Sequence, residues 1–329
     1  MRKVDYAYDV IIIGGGVVGS SIARELSKYK LNTCVLEKEL DVCCETSGRN
    51  SGVLHAGFNN KAGSLMAKFC VEGNENFDEI AKELDIPFKR TGKLVVGFNE
   101  EDKEKLIKMK EQGEANGVKG LEIINKDKIR KLSPYVEGNF ALYSPQTGIL
   151  NPFIYTIAMA ENAVSNGVKY FLDNEVLDIK KVLEKESSIF KIKTNKNVYR
   201  SKWLINSAGL NSDKIGKMMG IEDYTIYPCR GEYFILDQKL GKYLNMPAYP
   251  VPNEKMGGLG IHLTPSIDGN VFIGPSSEYI NSKDDYSTTK EVMDLLIEDG
   301  GRIFPHIKKE YFIRNFSGIR PKLVNKDKG

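Results

Sequence analysis

The sequence predicts an α/β protein in which a parallel-sheet domain is interleaved with a strand-rich α+β domain. Strand-helix-strand patterns, which are typical of parallel sheets, occur over residues 8–40 and 150–210. Strand-rich stretches separate the two patterns, and the 329 residues exceed the length at which one hydrophobic core usually stops growing. We therefore expect two domains, the first of them assembled from discontinuous segments.

The first pattern contains a glycine fingerprint. Residues 9–13 are mostly β-branched and predict a strand, whereas apolar residues at helical spacing predict a helix over residues 17–29. Between them, Gly14, Gly16 and Gly19 form G-x-G-x-x-G. In a Rossmann-like fold the first glycine allows a tight turn, the second lets backbone approach a pyrophosphate, and the third allows helix to pack closely on strand. The helix N-terminus adds N–H groups and a positive dipole end for phosphate.

An acidic residue completes the fingerprint. Residues 33–36 predict the second strand, and Glu37 follows it where the fingerprint requires a carboxylate that accepts hydrogen bonds from ribose hydroxyl groups. An acid rather than a basic residue at this position disfavours a 2′-phosphate. The residues alone therefore predict an adenine dinucleotide, with NAD and FAD as the alternatives.

The rest of the chain alternates helices and strands after a polar loop. The loop, residues 43–64, is too rich in Gly, Ser and Asn for a regular element. Hydrophobic periodicity then predicts helices over residues 65–84, 101–117, 152–166 and 287–299, and strands over residues 91–98, 168–181, 188–195, 203–209, 231–237, 258–276 and 311–323.

These segments suggest the domain boundaries. The dinucleotide-binding domain is expected to comprise residues 1–85, 146–222 and 311–329, and the substrate domain residues 86–145 and 223–310. No second G-x-G-x-x-G occurs in the sequence, which disfavours a second dinucleotide domain.

Composition argues against several functional classes. The net charge of +3, with lysines scattered among acids, indicates no basic surface for nucleic acid. No run of 18 apolar residues occurs, and the apolar run near the N-terminus is too short for a signal peptide, so we expect no transmembrane segment and a cytoplasmic location. The five cysteines lack C-x-x-C spacing and predict reduced thiols rather than a disulfide framework or a metal site.

Four stretches of the chain resemble one protein family. They are SGRNSGVLHAG at residues 47–57, INSAG at 205–209, YPVPNEKMGGLGIHLTPSIDGNVFIGPS at 249–276 and FSGIRPKL at 316–323. In these stretches the chain resembles the FAD-dependent amino-acid oxidase (DAO) superfamily. More narrowly, it resembles the L-2-hydroxyglutarate oxidase or dehydrogenase branch, with anaerobic glycerol 3-phosphate dehydrogenases close by. The resemblance runs from Tyr8 to Leu323 and implies that the dinucleotide is FAD.

The resemblance also implies which residues bind the cofactor. Glu37 would bind the adenosine ribose, and Val176 would meet adenine through its backbone. The residues expected to wrap the pyrophosphate and the flavin, or to close the phosphate side, are Thr46, Ser47, Arg49, Asn50, Ser51, Ala208 and Gly209.

The activity implied by the resemblance is hydride transfer from a small anionic 2-hydroxy acid to flavin, with L-2-hydroxyglutarate as the first candidate. Dehydrogenation of glycerol 3-phosphate is the alternative. A third expectation follows from relatives that continue past GIRPKL with a segment covering the flavin: the chain would be a C-terminally truncated FAD-binding fragment without turnover. The electron acceptor stays open between oxygen, a quinone and an iron–sulfur protein.

Oxidising a 2-hydroxy acid also requires a base and a cation. His55 follows the flavin loop and, in related families, the matching histidine lies beside the ring; His262 lies in the branch-specific hairpin. A neutral imidazole is suited to accept the hydroxyl proton. Arg320 is predicted to bind the carboxylate, since a guanidinium matches it bidentately. By the resemblance, Arg230 and Tyr233 would bind a second charge.

Overall fold

The computed structural model describes residues 5–184, 187–251 and 261–324. Its strands are β1 (Asp5–Ile13), β2 (Thr33–Leu36), β3 (Val53–Leu54), β4 (Phe88–Lys89), β5 (Leu94–Gly97), β6 (Glu122–Asn125), β7 (Phe140–Tyr143), β8 (Gly148–Leu150), β9 (Lys169–Phe171), β10 (Val176–Glu184), β11 (Ser187–Thr194), β12 (Val198–Asn206), β13 (Tyr227–Leu236), β14 (Ala248–Pro250), β15 (Leu263–Pro265), β16 (Val271–Ile273), β17 (Glu278–Tyr279) and β18 (Phe312–Lys322). Its α-helices are α1 (Val17–Leu26), α2 (Leu65–Glu75), α3 (Phe77–Glu83), α4 (Glu100–Ala115), α5 (Lys126–Leu132), α6 (Pro152–Ser165), α7 (Ser212–Met218) and α8 (Lys290–Ile303).

A six-stranded sheet contains the glycine fingerprint. Its strand order is β10-β11-β12-β1-β2-β9. The neighbours β12, β1, β2 and β9 are parallel, whereas β10 and β11 are joined antiparallel at one edge. The predicted α/β architecture with a parallel sheet is therefore confirmed.

Both faces of the central strand β1 are covered. Ile11 and Ile13 pack into a core with Tyr199, while Val10 and Ile12 pack on the opposite face with residues of α1 and α6. Because successive side chains of a strand point to opposite faces, a strand buried on both sides reads as a continuous apolar run. This explains why residues 9–13 show no alternation of polar and apolar residues.

A nine-stranded sheet forms the second layer of the architecture. Its path is β17-β13-β16-β15-β14-β5-β7-β6, and β18 pairs antiparallel with β13. The sheet combines strands from two parts of the sequence, β5–β7 and β13–β18. The two parts meet where β5 pairs in parallel with β14. Helix α8 covers this sheet through Leu296 and Ile303, which lie in its largest apolar cluster. The strand-rich character predicted for the second domain is present.

Three local predictions need correction. The helix predicted over residues 65–84 is two helices, because Asn76 ends α2 and its side-chain amide donates to the Glu72 carbonyl instead of allowing the helix to continue. The strand predicted over residues 168–181 is divided between β9 and β10. The polar loop over residues 43–64 contains the short strand β3.

The C-terminal strand β18 is hydrogen-bonded along β13 of the nine-stranded sheet. The domain boundaries, including the assignment of residues 311–329 to the dinucleotide domain, stay a prediction. Of the hairpin stretch 258–276, residues 258–260 lie outside the described residues, and the rest contains β15 and β16. Within the described ranges, no helix is long and apolar enough to cross a bilayer.

Candidate functional site

The glycine turn after β1 requires glycine at two of its positions. Gly14 has a φ of +106°, and a Cβ there would lie 2.4 Å from the carbonyl oxygen of Ser207. A Cβ on Gly19 would lie 1.9 Å from the carbonyl oxygen of Gly14. The first glycine therefore permits the turn, and the last lets α1 pack against it, as the fingerprint predicts.

The N-terminus of α1 meets the polar loop at Gly16. The Val17 N–H donates to Ser47 Oγ at 3.0 Å, and a Cβ on Gly16 would approach that same oxygen to 2.9 Å. Because the first N–H groups of a helix have no partner inside the helix, Ser47 stabilises this end from a distant loop. The loop that follows β2 is thereby held against the turn that follows β1.

Glu37 is fixed by backbone donors. Its Oε2 accepts from the Gly15 N–H at 2.6 Å, and its Oε1 accepts from the Glu39 N–H at 2.9 Å. Each carboxylate oxygen has a second lone pair, so these bonds leave acceptor capacity for two ribose hydroxyl groups. The carboxylate is thus oriented before any ligand binds.

The loop over residues 46–51 is tied to β18. Thr46 Oγ1 donates to the Ile319 carbonyl oxygen at 2.8 Å. A Cβ on Gly318 would lie 2.0 Å from the Arg49 carbonyl oxygen, so only glycine permits this approach. The Arg49 guanidinium lies 4.3 Å from the centroid of the Tyr286 ring. Asn50 closes the loop by donating to the Ser47 carbonyl oxygen at 2.7 Å.

A cleft of about 830 Å³ runs along the carboxyl ends of β1, β2, β9 and β12. In open α/β sheets, ligands bind outside this edge, and the volume lies within the usual range for small-molecule and cofactor sites. The sequence-predicted residues that line it are Gly14, Gly16, Glu37, Thr46, Ser47, Asn50, His55, Val176, Ala208 and Gly209.

Sequence reasoning missed other residues of the cleft, among them Asn174 and Lys214. Asn174 follows β9, so the rule that ligands bind at the carboxyl ends of parallel strands could have identified it once β9 had been separated from β10. Lys214 lies on α7 and pairs with Glu175 at 3.3 Å. Its sequence pattern carries no signal that distinguishes it from other surface lysines.

The structure brings both predicted histidines into one cluster. His55 lies on the cleft wall, and His262 packs edge-on against Tyr249 with 4.1 Å between ring centroids. His55 is exposed to this cleft; the protein around it, and then the charge of Lys93, lower the pKa of its imidazole. Burial, followed by the charges of Lys93, His55 and Arg320, lowers the pKa of His262 well below its ordinary value. Both imidazoles are therefore neutral at neutral pH.

Arg320 reaches the same cluster from β18. Its guanidinium lies over Gly231, where a Cβ would come within 2.6 Å of Nη2. Its protein contacts are long: Nη2 donates to the Ser276 carbonyl oxygen at 3.3 Å. Tyr233 interacts with the side chains of Arg320 and Ser51, and burial raises the pKa of its phenol. Arg320 thus retains donors for a ligand, and Tyr233 and Ser51 lie beside it.

Arg230 lies elsewhere. Side chains alternate along β13, so Arg230 and Glu232 point away from the face that carries Gly231 and Tyr233. The Arg230 guanidinium is 5% exposed and bonds Glu278 at 2.7 Å and Asp285 at 2.8 Å. Protein carboxylates therefore accept from both of its terminal nitrogens, and the structure does not group its guanidinium with that of Arg320.

Comparison with known proteins identifies the family. The family model described as "DAO: FAD dependent oxidoreductase" matches residues 9–328. The chain belongs to this family. The DAO resemblance stated from four sequence stretches is thereby confirmed, and FAD is the cofactor where the residues alone left NAD and FAD open.

Two curated relatives of this DAO protein carry different names. It is 42% identical over 322 residues to a glycerol 3-phosphate dehydrogenase of Caloramator mitchellensis, covering 97% of this chain and 66% of that protein. It is 35% identical over 305 residues to a mitochondrial L-2-hydroxyglutarate dehydrogenase of Nematostella vectensis, covering 89% of this chain and 66% of that protein. The chain thus spans just under two thirds of the length of each of these relatives.

A solved DAO-type structure supports the fold. L-α-glycerophosphate oxidase from Mycoplasma pneumoniae, determined with FAD bound, has a TM-score of 0.89 and 27% identity, and the match covers 98% of this chain and 85% of that chain. The residues described above fit FAD: a glycine turn without side chains, a helix N-terminus facing the cleft, an oriented carboxylate at Glu37, and a cleft of cofactor size. Thr46, Ser47 and Asn50 would hold it from the loop side.

Gly16→Val should abolish FAD binding and leave the chain folded. The new Cβ would crowd Ser47 Oγ, and the added methyl groups would occupy the place where backbone must approach the pyrophosphate. FAD titration followed by flavin absorbance measures the effect. The matched control is Gly301→Val, because a Cβ on Gly301 meets no atom within 4 Å. Unchanged FAD affinity in Gly16→Val would remove the assignment of this turn to the pyrophosphate.

Proposed function

We propose that this DAO-family protein oxidises a small 2-hydroxy acid, with L-2-hydroxyglutarate as the first candidate, and passes the hydride to FAD. The observation that carries the proposal is the grouping of two neutral imidazoles with a guanidinium that retains donors, next to the cleft wall that His55 lines. A base and a carboxylate-binding cation are the groups that such an oxidation requires from the protein. The 35% identical relative named L-2-hydroxyglutarate dehydrogenase supports the choice of first candidate.

The proposed roles follow from these contacts. Arg320 binds the C1 carboxylate with two parallel N–H groups and orients C2. His55 or His262 accepts the proton of the C2 hydroxyl group as the C–H bond breaks and the C=O bond forms. When bound, FAD supplies the acceptor for the hydride. The product is the 2-oxo acid, and the proton stays on the imidazole until solvent removes it.

Low histidine pKa values are compatible with this role. In the free site, the surrounding protein and then the nearby positive charges disfavour the imidazolium. A bound carboxylate adds negative charge to the same cluster, which favours the protonated imidazole and raises its pKa. The histidines therefore become stronger bases when the substrate is present.

Glycerol 3-phosphate is the second candidate, supported by the 42% identical relative. Arg320 would then bind phosphate, and the same histidines would serve the alcohol. In either case reduced flavin must pass its electrons on, and oxygen, a quinone and an iron–sulfur protein are the acceptors to be compared. The cytoplasmic location stays a prediction.

Substrate screening tests the function directly. FAD-loaded protein under anaerobic conditions should lose its visible flavin absorbance with L-2-hydroxyglutarate faster than with glycerol 3-phosphate. The D-enantiomer of 2-hydroxyglutarate is the control for binding without hydride transfer. Faster bleaching by glycerol 3-phosphate would favour the second candidate. Absence of bleaching with either compound would favour an FAD-binding fragment without turnover.

Replacing the base should slow flavin reduction without loss of FAD. We expect His55→Ala or His262→Ala to reduce the rate by about a hundredfold or more, the usual size of general-base effects. Stopped-flow absorbance gives the rate. His306→Ala is the control, since His306 packs among Tyr135, Tyr243 and Phe304. If both test variants react at the wild-type rate, another group takes the proton.

Arg320→Lys should weaken substrate binding while keeping the charge. Losing one charge-assisted hydrogen bond costs about 1.5 to 3 kcal/mol, which corresponds to roughly a tenfold to more than hundredfold loss of affinity. The dependence of flavin reduction on substrate concentration measures this loss. Arg314→Lys, an exposed change on the same strand, is the matched control. An unchanged concentration dependence for every anionic substrate would make Arg320 a structural residue.

A further inference from the structure

Lys93 is a buried lysine that the proposed chemistry leaves unused. It immediately precedes β5, and its side chain is 1% exposed. Its Nζ lies 4.2 Å from the centroid of the Tyr249 ring and 5.7 Å from that of Phe58. This Nζ makes no hydrogen bond to any residue that the structure describes.

Such a group is costly to the fold. Lys is almost never fully buried unless it is paired, and an ammonium removed from water loses three hydrogen bonds. The face of an aromatic ring offsets only part of that loss. An apolar side chain of similar length would fill the same space without this penalty. The position therefore stabilises the protein less than Met would, and a ligand would explain the lysine.

Lys93 belongs to the same cluster as the histidines and Arg320. Its Nζ faces the Tyr249 ring, and the His262 ring packs edge-on against that ring at 4.1 Å. The charge of Lys93 acts on both His55 and His262, while the charge of Arg320 also acts on His262. The cluster thus contains two cations from distant segments beside the candidate bases, and neither forms an ion pair with a residue that the structure describes.

We propose that Lys93 binds a second anionic group of the substrate, a carboxylate at the opposite end from the one held by Arg320. The site then selects dicarboxylic 2-hydroxy acids over monocarboxylic ones. This inference rests on the proposed function, because it takes the Arg320 and histidine roles as given. A substrate with a single phosphate offers no second carboxylate for Lys93.

The protonation state of Lys93 couples to this binding. Burial lowers its pKa to about 7, and the nearby Cys70 thiol acts in the opposite direction. An anion at Nζ favours the ammonium, so a dicarboxylate binds with proton uptake once the pH exceeds that value. The titratable or charged groups facing the cluster are Cys70 from α2, His55 after β3, Tyr249 from β14, His262 before β15 and Arg320 from β18.

The test compares two substrates that differ only at the far end. L-2-hydroxyvalerate has the five-carbon chain of L-2-hydroxyglutarate, with a methyl group in place of the second carboxylate. The ratio of their apparent second-order rate constants for flavin reduction is the preference. We expect the wild-type protein to prefer the dicarboxylate by about tenfold or more, as for one charge-assisted hydrogen bond. Lys93→Met should bring the two within about twofold of each other.

Two further readouts separate binding from structural support. Lys93→Met should raise the melting temperature of the FAD-loaded protein without substrate, because an unpaired buried charge is removed; a structural lysine would show the reverse. Glutarate should stabilise the wild-type protein against heat more than valerate does, and this difference should disappear in Lys93→Met. Lys242→Met is the matched control, since Lys242 is exposed and lies 4.8 Å from the Tyr243 ring centroid.

A measurement on the wild-type protein needs no variant. The preference for the dicarboxylate should fall as the pH rises from about 7 to about 9, by up to about tenfold per unit, because Lys93 loses its charge. Effects on the histidines act on both substrates and cancel in the ratio.

A pH-independent preference overturns the role of Lys93. Flavin reduction by both acids without any preference also overturns it and leaves the proposed function standing. If neither acid reduces the flavin, the proposed function itself fails. Preference for glycerol 3-phosphate that disappears in Lys93→Met overturns the dicarboxylate assignment.

Discussion

The candidate site depends on the close approach between β18 and the loop over residues 46–51. Gly318 lets the strand touch the Arg49 carbonyl group, and the hydroxyl of Thr46 is bonded to the carbonyl of Ile319. These contacts join the nine-stranded sheet to the loop that lines the cofactor cleft. The next residue along the strand is Arg320. Its position relative to the cleft is therefore set by backbone contacts that side-chain repacking cannot easily adjust.

The electrostatics of the cluster follow from its cations and from partial burial. Lys93 is buried, His262 is half-buried and His55 is exposed to the cleft. The charge of Lys93 acts on both imidazoles and that of Arg320 acts on His262, and these charges favour the neutral imidazoles. A site with these cations attracts anions, and its neutral imidazoles can accept a proton from a bound anion. A buried charge without a partner lowers the stability of the fold. At Lys93, the ammonium that would bind an anion therefore also destabilises the protein when no anion is bound.

Elements with local signals could be predicted from the sequence. The glycine turn, α1 and β2 are predictable because glycine spacing and hydrophobic periodicity are patterns of only a few residues. The strand-helix-strand order of these elements in turn predicts a parallel sheet. Lys93 could not be found in this way, because in TGKLVVGF it resembles a polar residue at the start of a strand. The Phe58 and Tyr249 rings that its Nζ faces are distant from it in sequence. The carboxylate partners of Arg230 could not be predicted either, because they lie on other segments and its own motif carries no signal for them. The pairing of β18 with β13 is likewise a long-range choice of partner.

The placement of β1 has a consequence for how the chain folds. Its partners are β2, which follows closely, and β12, which ends at Asn206. The turn at Gly14 also packs against the Ser207 carbonyl group, and the Ser207 N–H donates to the Ile13 carbonyl oxygen at 3.0 Å. Contacts between distant residues must overcome loop-closure entropy, which slows folding. During synthesis, therefore, the nucleotide turn cannot reach its final form until Ser207 has left the ribosome, and the intervening strands must avoid pairing wrongly in the meantime.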